Sequence, residues 1–238
     1  MTRRAIILAG GKGTRLKPYT ISLPKPLVPI GEMPILEIII RQLKKNNFTR
    51  VTIAVNHMAD IIKAYFGDGS KWGLEIDYSI ENQILSTMGP LTLIKDLPEN
   101  FLVMNGDVLT NLNYLEFFES HVNNNNLFTI CASILSNKND FGVLIKNEKS
   151  QLVKFEEKPI SNFLVSMGVY MMNKKNLEYI PQNTFYGFDH LMENLIKSGN
   201  LPNIFEFDGY WLDIGRPSDY EKAIIDLENN AILALHEL

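Results

Sequence analysis

Along the chain, short apolar runs rich in Ile and Val alternate with longer stretches whose apolar positions recur at helical spacing: Ala5–Leu8, Ile35–Asn46, Val51–Val55, Ile61–Phe66 and Leu74–Ile80, in that order. The alternation predicts a largely parallel sheet with helices on its faces. In Ile35–Lys45 the apolar residues fall at i, i+3/i+4 and i+8, and Lys44 and Lys45 occupy the last turn, as in a helix that ends near Asn46-Asn47. Gly31 and Pro34 supply the break in front of it.

Further strands are read at Phe101–Met104, Phe128–Ile134, Phe141–Ile145, Leu152–Glu156 and Val165–Met172, and helices at Leu112–Val122 and His190–Lys197. Between about 128 and 172 the strands crowd together, which predicts an antiparallel or mixed portion inserted beside the parallel sheet. Ser218 and Glu221, three apart ahead of Ala223-Ile224-Ile225-Asp226-Leu227, read as the capping box of a last helix. Asn123–Asn126 reads as a solvated loop after a helix, and no internal repeat is found. The aromatic residues Tyr65, Phe66, Phe117, Phe118, Phe205 and Phe207 fall at core-like spacings.

Composition narrows the class. A chain of 238 residues buries about 70% of its unfolded surface without disulfides or metal staples, so one compact domain is expected. With 23 Lys+Arg against 27 Asp+Glu, the net charge of -4 gives no reason to bind a nucleic-acid polymer or an anionic membrane. The run Ala5–Ala9 behind Arg3-Arg4 breaks at Gly10-Gly11, too early for a secretory leader, and no stretch approaches the ~18 apolar residues of a transmembrane helix. The single cysteine, Cys131, sits in the apolar run Phe128–Ala132, where packing suits it better than catalysis; the redox setting reads as cytoplasmic. His57, His121, His190 and His236 show no metal-ligand spacing, and no Ser/His/Asp ordering stands out, which argues against a zinc site or a hydrolase triad.

The chemistry gathers after the first strand, at Leu8-Ala9-Gly10-Gly11-Lys12-Gly13-Thr14-Arg15-Leu16. Glycines let successive backbone N–H groups converge on an anion, so the turn suits a phosphate, although a plain tight turn reads the same. It lacks the third glycine of the dinucleotide fingerprint and the Gly-Lys-Ser/Thr ending of a Walker loop, which disfavours a dinucleotide-dependent oxidoreductase. A short loop later, Lys25 stands between Pro24 and Pro26, whose pre-set backbone angles fix where its ammonium points. Arg15 and Lys25 aimed at one glycine nest make a polyphosphate site. Asp107 ends the apolar run Phe101–Met104 and so projects from the carboxyl end of a central strand; Asp213 follows Tyr210-Trp211-Leu212 in the same way.

Leu8–Leu16 followed by Pro24–Ile30 resembles the signature of the sugar-1-phosphate nucleotidyltransferases, or nucleotide-sugar pyrophosphorylases, and the resemblance runs from about residue 4 to 225. Val55-Asn56-His57 and Tyr65–Ser70 are similar to segments of the short bacterial members that look like mannose- or heptose-1-phosphate guanylyltransferases. Glu81–Leu91 resembles the base-binding segment, Asn105-Gly106-Asp107 the metal site, and Phe141-Gly142-Val143 a strand by the sugar. Phe155-Glu156-Glu157-Lys158-Pro159 resembles the sugar-phosphate clamp, and Trp211-Leu212-Asp213-Ile214-Gly215 the second metal site. The fold this implies is α/β: a Rossmann-like mixed, mostly parallel sheet flanked by helices, with a small inserted β sugar-binding portion. Within a single domain over 1–238, about 1–127 would serve mainly the nucleotide, about 128–215 mainly the sugar, and 216–238 would form a C-terminal helix.

The activity implied is Mg²⁺-dependent transfer of a nucleotidyl group from a nucleoside triphosphate, GTP favoured, to a sugar 1-phosphate, with release of pyrophosphate. The nucleophile is already an anion at neutral pH, so the reaction asks for charge neutralisation and not for a general base. The resemblance gives the catalytic roles to Arg15, Lys25, Asp107, Lys158 and Asp213, with Asp107 and Asp213 as the metal ligands. It gives the nucleotide Leu8, Ala9, Gly10, Gly11, Gly13, Thr14, Arg15, Lys25, Asn56, Glu81, Gly89, Asn105 and Gly106, and the sugar phosphate Gly142, Glu157, Lys158, Ser166 and Gly168. The alternatives are a catalytically silent nucleotide-sugar-binding regulatory subunit of the same fold, and cytidylyl, uridylyl or thymidylyl transfer to a different phosphorylated acceptor.

Two segments depart from the family pattern. Leu85-Ser86-Thr87-Met88-Gly89 stands for the common Leu-Gly-Thr-Ala-Gly, which reshapes the base pocket, and Ser166-Met167-Gly168-Val169-Tyr170 stands for Asn-Ala-Gly-Ile-Tyr, which points to a sugar other than glucose. Some relatives add a C-terminal domain, often a β-helix, for which the sequence after Ser218 leaves no room. The apolar tail Ala231–Leu235 is a candidate contact for a homo-oligomer.

Overall fold

The computed structural model describes residues 2–229. In chain order the strands are β1 (Arg4–Leu8), β2 (Pro29–Ile30), β3 (Met33–Pro34), β4 (Arg50–Val55), β5 (Glu75–Ile80), β6 (Asn100–Asn105), β7 (Val108–Thr110), β8 (Phe128–Lys138), β9 (Val143–Lys146), β10 (Leu152–Glu156), β11 (Ile160–Asn173), β12 (Asn203–Glu206) and β13 (Trp211–Asp213). The α-helices are α1 (Ile35–Lys45), α2 (Ala59–Phe66), α3 (Tyr114–Asn123), α4 (Phe188–Lys197) and α5 (Pro217–Glu228).

A seven-stranded sheet in the order β12-β8-β11-β6-β1-β4-β5 forms the centre. Strands β6, β1, β4 and β5 are mutually parallel, whereas β11 lies antiparallel between β6 and β8. The expected mixed, mostly parallel sheet with a crowded antiparallel portion is therefore present. After β1 the chain builds β4 and β5 on one side, then crosses to β6 on the other, so the strand order reverses at β1. The carboxyl end of β1 is thus the topological switch point, where neighbouring connections part and leave a crevice.

Alternation along the strands divides the core. Ala5 and Ile7 of β1 and Leu102 and Met104 of β6 face a layer that includes Ile35, Leu36 and Ile39 of α1, Ile62 and Phe66 of α2, and Phe117 of α3. Ile6 and Val103 face the other way, toward Leu191 and Leu195 of α4 and toward Met88 and Leu91. Apolar burial on both faces explains why these strands read as unbroken hydrophobic runs.

Several sequence readings are corrected. The last helix begins at Pro217, so Ser218 lies inside it; the capping carboxylate is Asp219, which accepts from the backbone N–H of Arg216 at 2.7 Å and of Gly215 at 3.1 Å. The strand read from Phe141 starts at Val143, because Asn139 turns the chain by accepting from the Phe141 N–H at 3.0 Å. Tyr65 is 40% exposed and its hydroxyl donates to Glu37 at 2.6 Å, whereas Phe66 and Phe117 are buried and Phe118, Phe205 and Phe207 are packed against the core in part. The tail Ala231–Leu235 lies outside the described residues.

Candidate active site

At the switch point the loop after β1 is anchored on both sides. Ala9 donates to Ala54 of β4 at 2.8 Å, and the Gly106 N–H donates to Leu8 at 2.9 Å. Two glycines have steric reasons. A Cβ on Gly10 would lie 2.7 Å from Glu81 Oε1, and Gly13 combines φ of 61° with Thr20 and Lys25 carbons about 3 Å from where its Cβ would be. Thr20 Oγ1 closes the loop by donating to the Gly13 carbonyl at 2.7 Å.

This loop forms one wall of a cleft of about 380 Å³. Leu8, Ala9, Gly10, Gly11, Gly13, Thr14, Arg15, Lys25, Asn56, Glu81, Asn105, Gly106 and Asp107 all line it, so most of the residues expected to meet a nucleotide share one space. Pro26, Ile84, Ser86, Thr87, Pro90 and Gly215 complete it. These were missed as site residues, although the segment Leu85–Gly89 and the Gly215 that closes the second aspartate motif carried the signal. Gly89 stands behind the wall, with its N–H donated to Tyr186 at 2.9 Å.

Lys25 Nζ forms a short ion pair with Asp107 Oδ2, while Asp107 Oδ1 is buried with no hydrogen-bond partner among the described residues. Pairing of β13 with β7 places Asp213 opposite Val108, and Ile214 N–H donates to the Asp107 carbonyl at 3.0 Å. Asp213 keeps solvent access as a residue, yet its carboxyl is pushed up to about 6, by desolvation first and by the charge on Asp107 second, against Lys25 and Arg15. The Arg15 guanidinium also reaches this corner: Nη2 and Asp213 Oδ2 lie 3.6 and 3.4 Å from where a Gly215 Cβ would stand. An unsatisfied buried carboxylate oxygen beside a second, charge-strained carboxylate suits a hard divalent cation. No group of three or more His, Cys, Asp or Glu forms a metal cage among the described residues, so such a cation would draw further ligands from phosphates and water.

Glu81 supplies a further polar group in the cleft, with its Oε1 against Gly10 of the glycine loop. Its backbone N–H donates to Val55 at 2.9 Å, Asn56 Nδ2 donates to its carbonyl at 3.1 Å, and its Oε2 faces the Leu85 N–H at 3.4 Å. Burial pushes its carboxyl above the usual carboxylate range.

The residues expected to meet the sugar phosphate lie outside this cleft. Gly142 faces Glu157, whose Oε2 lies 3.1 Å from where a Gly142 Cβ would be. Lys158 is exposed and adopts φ of 46° between β10 and β11. Ser166 Oγ pairs with Tyr170 Oη at 3.2 Å, and Gly168 packs against Asn105 of the cleft, linking the two regions.

The curated UTP–glucose-1-phosphate uridylyltransferase of Synechocystis sp. is 30% identical over 93% of the chain and 62% of its own length. The mannose-1-phosphate guanyltransferase of Aspergillus oryzae is 30% identical over 91% of the chain and 62% of its own length. The chain thus spans about 62% of the length of these relatives. The crystal structure of HddC from Yersinia pseudotuberculosis superposes with a TM-score of 0.75 at 28% identity, covering 95% of this chain and 100% of that one. A second structure of HddC, complexed with GMP-PN, gives a TM-score of 0.73 at 27% identity and covers the same shares. The family described as nucleotidyl transferase matches residues 4–230, a span that takes in the glycine loop, Lys25, Asp107 and Asp213 alike, and this chain belongs to that family.

Proposed function

We propose that the chain transfers a nucleotidyl group from GTP to a sugar 1-phosphate, with Mg²⁺, releasing pyrophosphate. The observation that carries this reading is the convergence of Arg15, Lys25 and Asp107 in the cleft at the switch point, with Asp213 close enough to feel the charges of all three. The anionic phosphate of the sugar attacks the α-phosphorus in line as the bond to the leaving pyrophosphate opens. Backbone N–H groups of Gly10–Gly13 and the cations Arg15 and Lys25 hold the triphosphate and neutralise charge growing on the leaving group. Mg²⁺ held by Asp107 and Asp213 would supply charge neutralisation between the two approaching anions. Lys158 and Glu157 take the sugar phosphate and a sugar hydroxyl.

Glu81 supports guanine. A carboxylate accepts from the adjacent N1–H and N2–H of guanine, whereas uracil and thymine flank their single ring N–H with carbonyl oxygens that repel it. The GMP-PN complex of HddC agrees with a guanine nucleotide in this fold. The shortened arm of Ser166 and the added volume of Met167 favour a sugar other than glucose.

Pyrophosphate release across GTP, CTP, UTP, dTTP and ATP, crossed with a panel of sugar 1-phosphates, tests the proposal. Release with GTP and one non-glucose sugar phosphate, lost in Asp107→Ala, is expected. Release with UTP and glucose 1-phosphate alone would replace both identities. Silence across the panel with GTP still bound would move the assignment to a regulatory subunit.

A further inference from the structure

The wall of the cleft that carries Ser86, Thr87 and Pro90 is clasped by the residues that lead into α4, about a hundred positions later in the chain. The Tyr186 N–H donates to the Leu85 carbonyl at 3.0 Å, and the Tyr186 carbonyl accepts from the Met88 and Gly89 N–H groups, both at 2.9 Å. The Phe188 N–H donates to Thr87 Oγ1 at 2.8 Å. Gly89 lets the two segments close up, since a Cβ there would lie 2.5 Å from the Thr184 carbonyl oxygen.

The clasp accounts for two local features. Ser86 stands at φ 65°, a conformation that residues other than glycine rarely adopt and that persists only where the surroundings fix it. The clasp fixes it from both sides, through the Leu85 carbonyl and through Thr87 Oγ1. Helix α4, for its part, has Gly187 as its N-cap and so no side chain there to accept its first N–H groups. Thr87 Oγ1 takes the N–H of Phe188, and His190 Nδ1 takes that of Gly187 at 3.0 Å. Wall and helix start complete each other.

Tyr186 joins the two. Its main chain makes three of these bonds, while its side chain, 7% exposed, docks on α4: the hydroxyl donates to the His190 carbonyl at 3.1 Å and accepts from Asn194 Nδ2. The ring packs with Met88, Leu91, Leu191 and Leu195 in one buried cluster. Tyr186 itself stands outside the cleft. Its hydroxyl thus sets where the ring lies, the ring sets the main chain, and the main chain sets the turn through Ser86. A site held this way keeps its geometry only as well as the shell behind it.

We infer that Tyr186 is a positioning residue for the base of the nucleotide: anchored on α4 through its hydroxyl, it holds from behind the wall against which the base lies. This rests on the reading of the cleft as a nucleotide site. The phosphate end is independent of it, because the glycine loop is anchored elsewhere, by Ala9 on Ala54 and by Thr20 on Gly13.

Calorimetric titration in the presence of Mg²⁺ tests this with Y186F N194L, which removes the hydroxyl and its side-chain donor together and so strands neither. The dissociation constant for GTP is expected to rise about fivefold or more, and that for inorganic tripolyphosphate, which has no base, to stay within about twofold. N194L alone, at an exposed position of α4, makes the same comparison by a milder change, with GTP weakened about twofold and tripolyphosphate unaffected. Hydrogen exchange gives a second readout: the Met88 and Gly89 amides are expected to exchange about tenfold faster in Y186F N194L, while those of β1 and β4 keep their wild-type rates. Equal weakening of GTP and tripolyphosphate, no weakening of GTP, or Met88 and Gly89 amides that exchange as in wild type would each overturn the inference. A wild type that binds tripolyphosphate and no nucleotide would overturn the nucleotide reading itself, and the inference with it.

Discussion

Lys25 Nζ reaches across 82 positions of sequence to Asp107 Oδ2, and the other oxygen of that carboxylate is left buried without a partner among the described residues. The pair serves two ends at once. The lysine holds the aspartate in place, and the spare oxygen is the one that the proposed Mg²⁺ would take. Asp107→Asn keeps the shape and removes the charge. Turnover, followed as pyrophosphate release, is expected to fall about 10²–10³-fold, with KM for the nucleotide changed far less, as for loss of a group that acts on charge formed during reaction. A loss confined to KM would assign Asp107 to ground-state binding alone.

Glu81→Gln replaces two acceptors by one acceptor and one donor. kcat/KM for GTP is expected to drop about 10–100-fold, the worth of a hydrogen bond to a charged group, while the value for UTP changes little. Equal losses with every nucleotide would mean that Glu81 shapes the cleft and does not read the base.

The glycine loop gives a paired stability test. A methyl at Gly13 meets Thr20 Cγ2 at 2.9 Å and Lys25 Cβ at 3.0 Å on a backbone at φ 61°, whereas nothing lies within 4 Å of a Cβ at Gly11. In urea unfolding Gly13→Ala is expected to cost about 1–3 kcal/mol and Gly11→Ala less than about 0.5.

His121 is buried between Thr129 Oγ1 at 2.8 Å and Asn100 Oδ1 at 3.2 Å, and desolvation brings its imidazole down to about 4. Its folded pKa lies below the unfolded value of about 6.5, so the unfolded chain binds the extra proton first. This contribution is fully present above about pH 6.5 and is lost as pH falls toward 4. Urea midpoints measured between pH 7.5 and 4.5 are expected to decline more steeply for wild type than for His121→Gln, which has no proton to gain.

The long periodic segments were legible because one signal dominates each: α1 follows its Ile and Leu spacing, and β1 and β6 are apolar on both faces. Arg15, Lys25, Asp107 and Asp213 drew notice because Arg15 follows a glycine turn, Lys25 stands between prolines, and Asp107 and Asp213 follow apolar runs. What escaped depends on distant partners. Strand β7, three residues long, pairs with β13 across about a hundred residues and has no local signature of its own. The helix start at Pro217 is set by Asp219 and not by the Ser218 that fits the local pattern, since a proline cannot continue a helix behind it but opens one well. Tyr65 has helical spacing, yet its ring stays partly exposed while its hydroxyl donates to the buried Glu37. Ser86 takes the left-handed conformation (φ 65°) where related sequences place glycine, a choice that only the fold reveals.

The last helix also bears on the first loop. Tyr220 of α5 stacks on Tyr19 with ring centroids 4.6 Å apart, Leu227 packs on Gly31, and Asp219 fixes the Gly215 turn near Arg15. The segment that carries Arg15 and Lys25 precedes the surface it rests on by about two hundred residues. All strands of the central sheet, up to β12, come before α5 in the chain, so the cleft wall that carries Arg15 and Lys25 gains this support only after the sequence of the whole sheet.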